Sequence, residues 1–173
     1  MTLRLGTAIL TAFLSLCGAA GAQQANPLDV IPDKMPFATP YGPPISLQQA
    51  QSVIQAAMNE ATKHSWPESF AVVDSGGNLV AFVHMDGSLL ASIPIAQHKA
   101  RTAVIFRRPT RAFEDAVQRS GYNYILSLDG VIASRGGVLL TEDGKIVGAV
   151  GCSGGTGSQD EAICTAAAAT FNK

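Results

Sequence analysis

The chain lacks most of the usual equipment for covalent catalysis. Its three histidines are His64, His84 and His98, and none follows residue 98. A serine nucleophile needs a base to take its proton. The stretch Gly151-Cys152-Ser153-Gly154-Gly155 satisfies G-x-S-x-G, yet in α/β-hydrolase order the histidine should come after the serine. No lysine follows the glycines of Gly154-Gly155-Thr156-Gly157, where Ser158 stands instead, which excludes a Walker-type phosphate loop. The third glycine of a dinucleotide fingerprint is missing as well. Neither H-x-x-x-H nor C-x-x-C-H occurs, so a helical metal pair and covalently attached c-type haem are excluded by motif. Charge is sparse and balanced, with 12 basic against 13 acidic residues, so no nucleic-acid partner is expected.

The N-terminus reads as a leader. Arg4 supplies a positive start, Leu5 to Leu16 an apolar run, and Ala20-Gly21-Ala22 a small-residue cleavage site. The run is short for a bilayer span, so the expectation is a protein exported to the periplasm or secreted, with no stable membrane anchor. Cys17 raises a lipoprotein alternative, against which stands the bulk of Leu16. Residues 1–22 are therefore read as a signal peptide. Residues 23–44 hold Pro27, Pro32, Pro36, Pro40, Pro43 and Pro44 and read as an extended arm, a candidate for packing on a neighbouring subunit. Residues 45–173 form one domain.

Ser46 is a good N-cap for a helix carrying Ala50, Val53, Ile54, Ala57, Met58 and Ala61 at helical spacing. SFAVVDS and LVAFVHM flank Gly76-Gly77-Asn78 as a hairpin; GGVLLTE and KIVGAVGC flank Asp143-Gly144 as another. Pro94 suits the first turn of a helix that Pro109 ends, and Thr110 caps a shorter one. YNYILSL is a candidate further strand, and a last helix is expected from Ser158. Hairpins separated by helices, without βαβ alternation, predict an α+β domain: an antiparallel sheet with helices packed on it.

Two segments carry candidate chemistry. In the first, Ser153, Gly154, Gly155, Thr156 and Gly157 form a loop at a helix start whose N–H groups can hold an anion, or simply a tight strand-to-helix turn. Ser158 to Glu161 spells a capping box that accounts for Asp160 and Glu161 structurally. Cys152 and Cys164 are either a disulfide or two buried thiols. The second segment is HKARTAVIFRRPTR. No acid stands between Asp86 and Glu114, and His98, Arg101, Ile105 and Arg108 share a helical face, with Ala96, Ala100, Ala103 and Val104 opposite. Imidazole, apolar wall and guanidiniums suit an amphipathic anion such as a porphyrin; a solvated basic face pairing with acids of another subunit is the plainer alternative.

AVVDSGGNLVAFVHMDG, AQHKARTA and RGGVLLTEDGKIVGAVGCSGGTGSQDEAIC together resemble the GlcG/HbpS haem-binding family, which includes the C-terminal domain of PduO-type proteins. The resemblance runs from about Ser46 to Ala169. It implies a profilin-like three-layer α/β/α sandwich with a five-stranded antiparallel sheet, homo-oligomers, and noncovalent haem binding linked in some members to haem breakdown, iron handling or sensing. Two departures stand out. His84 occupies a place where many members carry arginine, and Cys152 and Cys164 replace small aliphatic residues. On this reading haem is the cofactor. His98 is the first choice for an iron contact, His84 and His64 come behind it, and Lys99, Arg101 and Arg108 are the propionate partners. The alternatives are an accessory enzyme or binding protein for a small carboxylate held by the glycine loop, and an oligomeric assembly module without chemistry.

Overall fold

The computed structural model describes residues 33–35 and 37–172. The chain divides into two units, Met1–Lys34 and Met35–Lys173, and the fold is that of the second. The expected leader, residues 1–22, and the start of the arm lie outside the described residues.

Helix α1 (Leu47–His64) begins where the sequence places it. The Ser46 hydroxyl accepts from the Gln49 N–H, and the Gln49 side chain accepts from the Ser46 N–H in return. Ala50, Val53, Ile54, Ala57 and Ala61 are its buried stripe. Strands β1 (Ser69–Asp74) and β2 (Leu79–His84) form the first hairpin. Its turn is held by Asp74 Oδ1, which accepts the N–H groups of Gly76 and Asn78. Then come α2 (Ser92–Ile105), α3 (Arg111–Gln118), a 3-10 helix (Asn123–Ser127), β3 (Gly137–Glu142), β4 (Lys145–Ser153) and α4 (Gly157–Phe171).

The sheet is antiparallel throughout, in the order β2-β1-β4-β3. Helices α1 and α4 cover one face, around Phe70, Val72, Leu140, Val150 and Ile163. Each such side chain contributes roughly 1.5–3 kcal/mol through burial. Helix α2 covers the other face through Ala96, Ala100 and Ala103, against Ala71, Val73 and Ala149. The α+β expectation and the three layers hold. The fifth strand does not: the described residues contain four, and the YNYILSL segment is mostly 3-10 helix. Its contacts follow a period of three, with Tyr122 half-buried and Ile125 buried while Tyr124 and Leu126 face water, so strand alternation has nothing to bury.

Helix α2 rides unusually close to the sheet. A Cβ on Gly151 would lie 2.1 Å from the Ala96 carbonyl oxygen, and one on Gly137 would lie 2.3 Å from that of Lys99. On the opposite face Cys152 of β4 and Cys164 of α4 are joined by a disulfide, their Cα atoms 5.7 Å apart.

One local expectation shifts. Helix α4 begins at Gly157 and its capping box is Thr156 with Gln159, two residues before the Ser158–Glu161 pair. Thr156 keeps extended backbone while Gly157 already turns helically, so the hydroxyl at Thr156 is the one that meets the orphan N–H. The described part of the arm packs on its own subunit. Ile146, beyond the end of β1, bonds to Pro40 and Gly42, and the Tyr41 hydroxyl donates to the carbonyls of Val104 and Ile105 at the end of α2.

Candidate functional site

Helix α2 lies over β1, β4 and β3, and leaves the same face of β2 uncovered as a shelf. A bulge in the first hairpin decides what stands there. The register pairs Ser69 with His84, Ala71 with Phe82, and Val73 with Leu79 after a shift between Val72 and Val73. Cross-strand partners share a face, so Leu79, Phe82 and His84 all point to the side of α2. Without the extra residue Leu79 would face the other way.

The wall above this shelf is α2. A cleft of about 480 Å³ is lined by Val73, Gly77, Asn78, Leu79, Gln97, His98 and Arg101. A second, of about 320 Å³, lies on the far side of His98 and Arg101, against Asp129, Gly130 and Val131. His98 and Arg101 therefore form a ridge between two hollows, both exposed. Among the described residues Arg101 has no carboxylate within ion-pair distance, which leaves its guanidinium for a ligand.

The other sequence candidates divide. Arg108 does not share the face of His98, because α2 stops at Ile105 and Arg107 takes a left-handed conformation with φ 53°. Its guanidinium lies 3.6 Å from the Phe37 ring centroid and 4.6 Å from that of Phe113, and clips the arm to α3. Lys99 points into the protein. Its Nζ is 2.5 Å from Asp160 Oδ2 in a pair closed to solvent, so it cannot meet a propionate on the shelf. His64 stacks on Trp66 at 4.4 Å and reaches Glu60 Oε1 at 3.2 Å, at the surface.

Two donors of the glycine loop are spent within the protein. Gly155 N–H goes to Asp160 Oδ1 at 3.0 Å and Thr156 N–H to Gln159 Oε1 at 2.9 Å. Gly155 thus holds the protein's own Asp160 carboxylate and Thr156 the amide oxygen of its capping partner, so two N–H groups of the expected anion seat at Ser153 to Gly157 are taken. Ser153 is buried, and the register Ser153–Ser69–His84 places the nearest strand histidine two strands away, about 10 Å. No serine–histidine pair forms there.

Behind the loop lies a buried ionisable cluster that the sequence pattern did not reveal. Glu68, Lys99 and Asp160 are all essentially inaccessible to water. Neither Glu68 carboxyl oxygen has a donor to accept from. Burial first, then the charge of Asp160 and a hydrogen bond with it, push the Glu68 carboxyl up to about 8, against the pull of Lys99. A proton held by Glu68 would let one of its two unpartnered oxygens donate toward Asp160. A Cβ on Gly136 would sit 3.1 Å from Lys99 Nζ and 2.8 Å from Asp160 Cβ, so glycine is what admits this cluster. Among the described residues no group of three or more His, Cys, Asp or Glu side chains could hold a metal ion, and no helix is long and apolar enough to cross a membrane.

A three-layer α/β/α domain with an imidazole–guanidinium ridge above an apolar strand shelf is thus the class of protein in hand. The family described as haem degrading protein HbpS-like matches residues 45–169, and the chain belongs to it. It is 41% identical over 109 residues to protein GlcG of Escherichia coli strain K12, covering 63% of this chain and 81% of that protein. Among solved structures, the PduOC:heme complex matches with a TM-score of 0.67 at 30% identity, over 75% of this chain and 96% of that one. HbpS matches with a TM-score of 0.71 at 27% identity, over 81% and 99% respectively.

Proposed function

We propose that this chain binds haem noncovalently at the shelf between β2 and α2. The observation that carries the reading is the company kept there. Leu79, His98 and Arg101 line one cleft, Arg101 without an acidic partner, and Phe82 and His84 stand farther along the same face of β2. Haem asks for that combination of iron donor, apolar wall and cation for its propionates. A relative 30% identical to this chain was crystallised as a haem complex, which supports the same ligand here. Bound haem would supply a redox-active iron, and the residues of this chain would hold and orient it.

The same reading places the protein outside the cytoplasm, in the periplasm or secreted, as a homo-oligomer engaged in haem or iron handling or sensing. The leader-like residues 1–22 and the bridged Cys152–Cys164 pair support the compartment. The small-carboxylate reading is less favoured, because the N–H groups of Gly155 and Thr156 already have partners.

Haemin titration of the purified protein tests the proposal. A saturable Soret change is expected, and Arg101→Ala should weaken it. Thermal stabilisation by a panel of small carboxylic acids, with none by haemin, would instead sink the haem reading.

A further inference from the structure

His84 is the end of a hydrogen-bonded chain whose direction can be read. Its Nδ1 lies 2.7 Å from Ser69 Oγ, which lies 2.6 Å from Ser92 Oγ, which lies 2.5 Å from the carbonyl oxygen of Leu89. Ser88 Oγ also meets Ser92 Oγ, at 2.9 Å. A carbonyl oxygen only accepts, so the contact between Ser92 and Leu89 uses the single Ser92 proton. Ser92 must then accept from Ser69, which uses the Ser69 proton. Ser69 has only an acceptor left for the imidazole. His84 Nδ1 therefore carries the proton in the neutral ring, and Nε2 carries the lone pair.

Among the described residues Nε2 has no hydrogen-bond partner, and His84 is only half-buried on the open shelf. Ser69 itself is fully buried, so the pair does not work as a nucleophile and its base. The chain instead does what outer partners do for metal-binding histidines, fixing tautomer and ring orientation through the nitrogen that is not used. His98, by contrast, makes no hydrogen bond to any described residue that would set its tautomer or hold its ring.

Resting on the haem reading above, we propose that His84 Nε2, not His98, is the nitrogen that ligates haem iron in this protein, with Ser69 and Ser92 as positioning residues. Ser69 accepts the imidazole proton, Ser92 accepts from Ser69, and the Leu89 carbonyl closes the line. Phe82 is the apolar neighbour one step along the same face of β2.

The test compares wild type, His84→Ala, His98→Ala and Ser69→Ala by haemin titration, alongside long-range ¹H–¹⁵N spectra of the haem-free protein. The expected result is a histidine-ligated wild-type spectrum that His84→Ala abolishes, that added imidazole restores, and that His98→Ala leaves in place. Ser69→Ala keeps the ligand but weakens binding roughly 10- to 100-fold. The haem-free spectra should show His84 protonated at Nδ1. A wild-type haem spectrum untouched by His84→Ala, or lost only in His98→Ala, overturns the assignment alone, as does an Nε2–H tautomer. Absence of any Soret change in wild type overturns the haem reading and the assignment together.

Discussion

Lys99 Nζ, on the sheet side of α2, lies 2.5 Å from Asp160 Oδ2, in the first turn of α4, across the β4 strand end that separates the two helix layers. The two residues are 61 positions apart in sequence, and the pair is closed to solvent. It ties together helices that pack on opposite faces of the sheet.

Breaking that pair from one side leaves a bare buried charge. Lys99→Met should cost about 3–5 kcal/mol of folding stability, read from urea unfolding. Lys99→Met combined with Asp160→Asn should recover part of that loss, since the uncompensated carboxylate is gone. A single variant as stable as wild type contradicts this account of the pair.

Glu68 sets a pH dependence of its own. Burial and the neighbouring Asp160 push its carboxyl up to about 8, from 4.5 for the free group. Between those values the folded chain holds a proton that the unfolded chain releases, so stability falls as pH rises. The Glu68 contribution to that slope is at most about 1.4 kcal/mol per pH unit. Glu68→Gln keeps a donor toward Asp160 with no proton to lose. Urea midpoints from pH 5 to 9 should fall more steeply in wild type than in Glu68→Gln.

The Cys152–Cys164 bridge closes a short loop across the strand-to-helix turn. Reduction, or replacement of both residues by alanine, should lower stability by roughly 2–3 kcal/mol. Thermal unfolding with and without reductant measures it, and the double variant should lose all sensitivity to reductant.

Gly151 is the point of closest approach between β4 and α2. Gly151→Ala would drive a methyl group into the Ala96 carbonyl oxygen. Overpacking of this kind typically costs about 1–3 kcal/mol, and contact with rigid backbone puts this site at the upper end. Because α2 carries His98 and Arg101, haemin affinity should fall with stability.

The elements were readable where local chemistry decides them. Ser46 with Gln49, the Asp74–Asn78 turn and Asp143-Gly144 each announce a boundary within four or five residues. The site was less readable because long-range geometry decides it. Lys99 looked like one more cation of a basic helix, and its partner Asp160 looked like an ordinary acid at a helix start. Only the fold brings the two together. Arg108 fits the helical face of His98 on spacing alone, and drops out because the helix ends at Ile105. Leu79 reaches the shelf only through the Val72/Val73 bulge, which leaves no mark in the alternation of LVAFVHM. Ser69 and Ser92, in different elements, gave no hint that they orient His84.

The alanine stripe of α2, pressed onto Gly137 and Gly151, removes a degree of freedom. Apart from Lys99, which is pinned to Asp160, the side chains beneath the helix are short and leave it little room to slide or tilt. Its outer residues are mounted on a fixed rail. A ligand arriving above β2 must be met by rotation of His98 and Arg101 about their own side-chain bonds, while the backbone of α2 keeps its place.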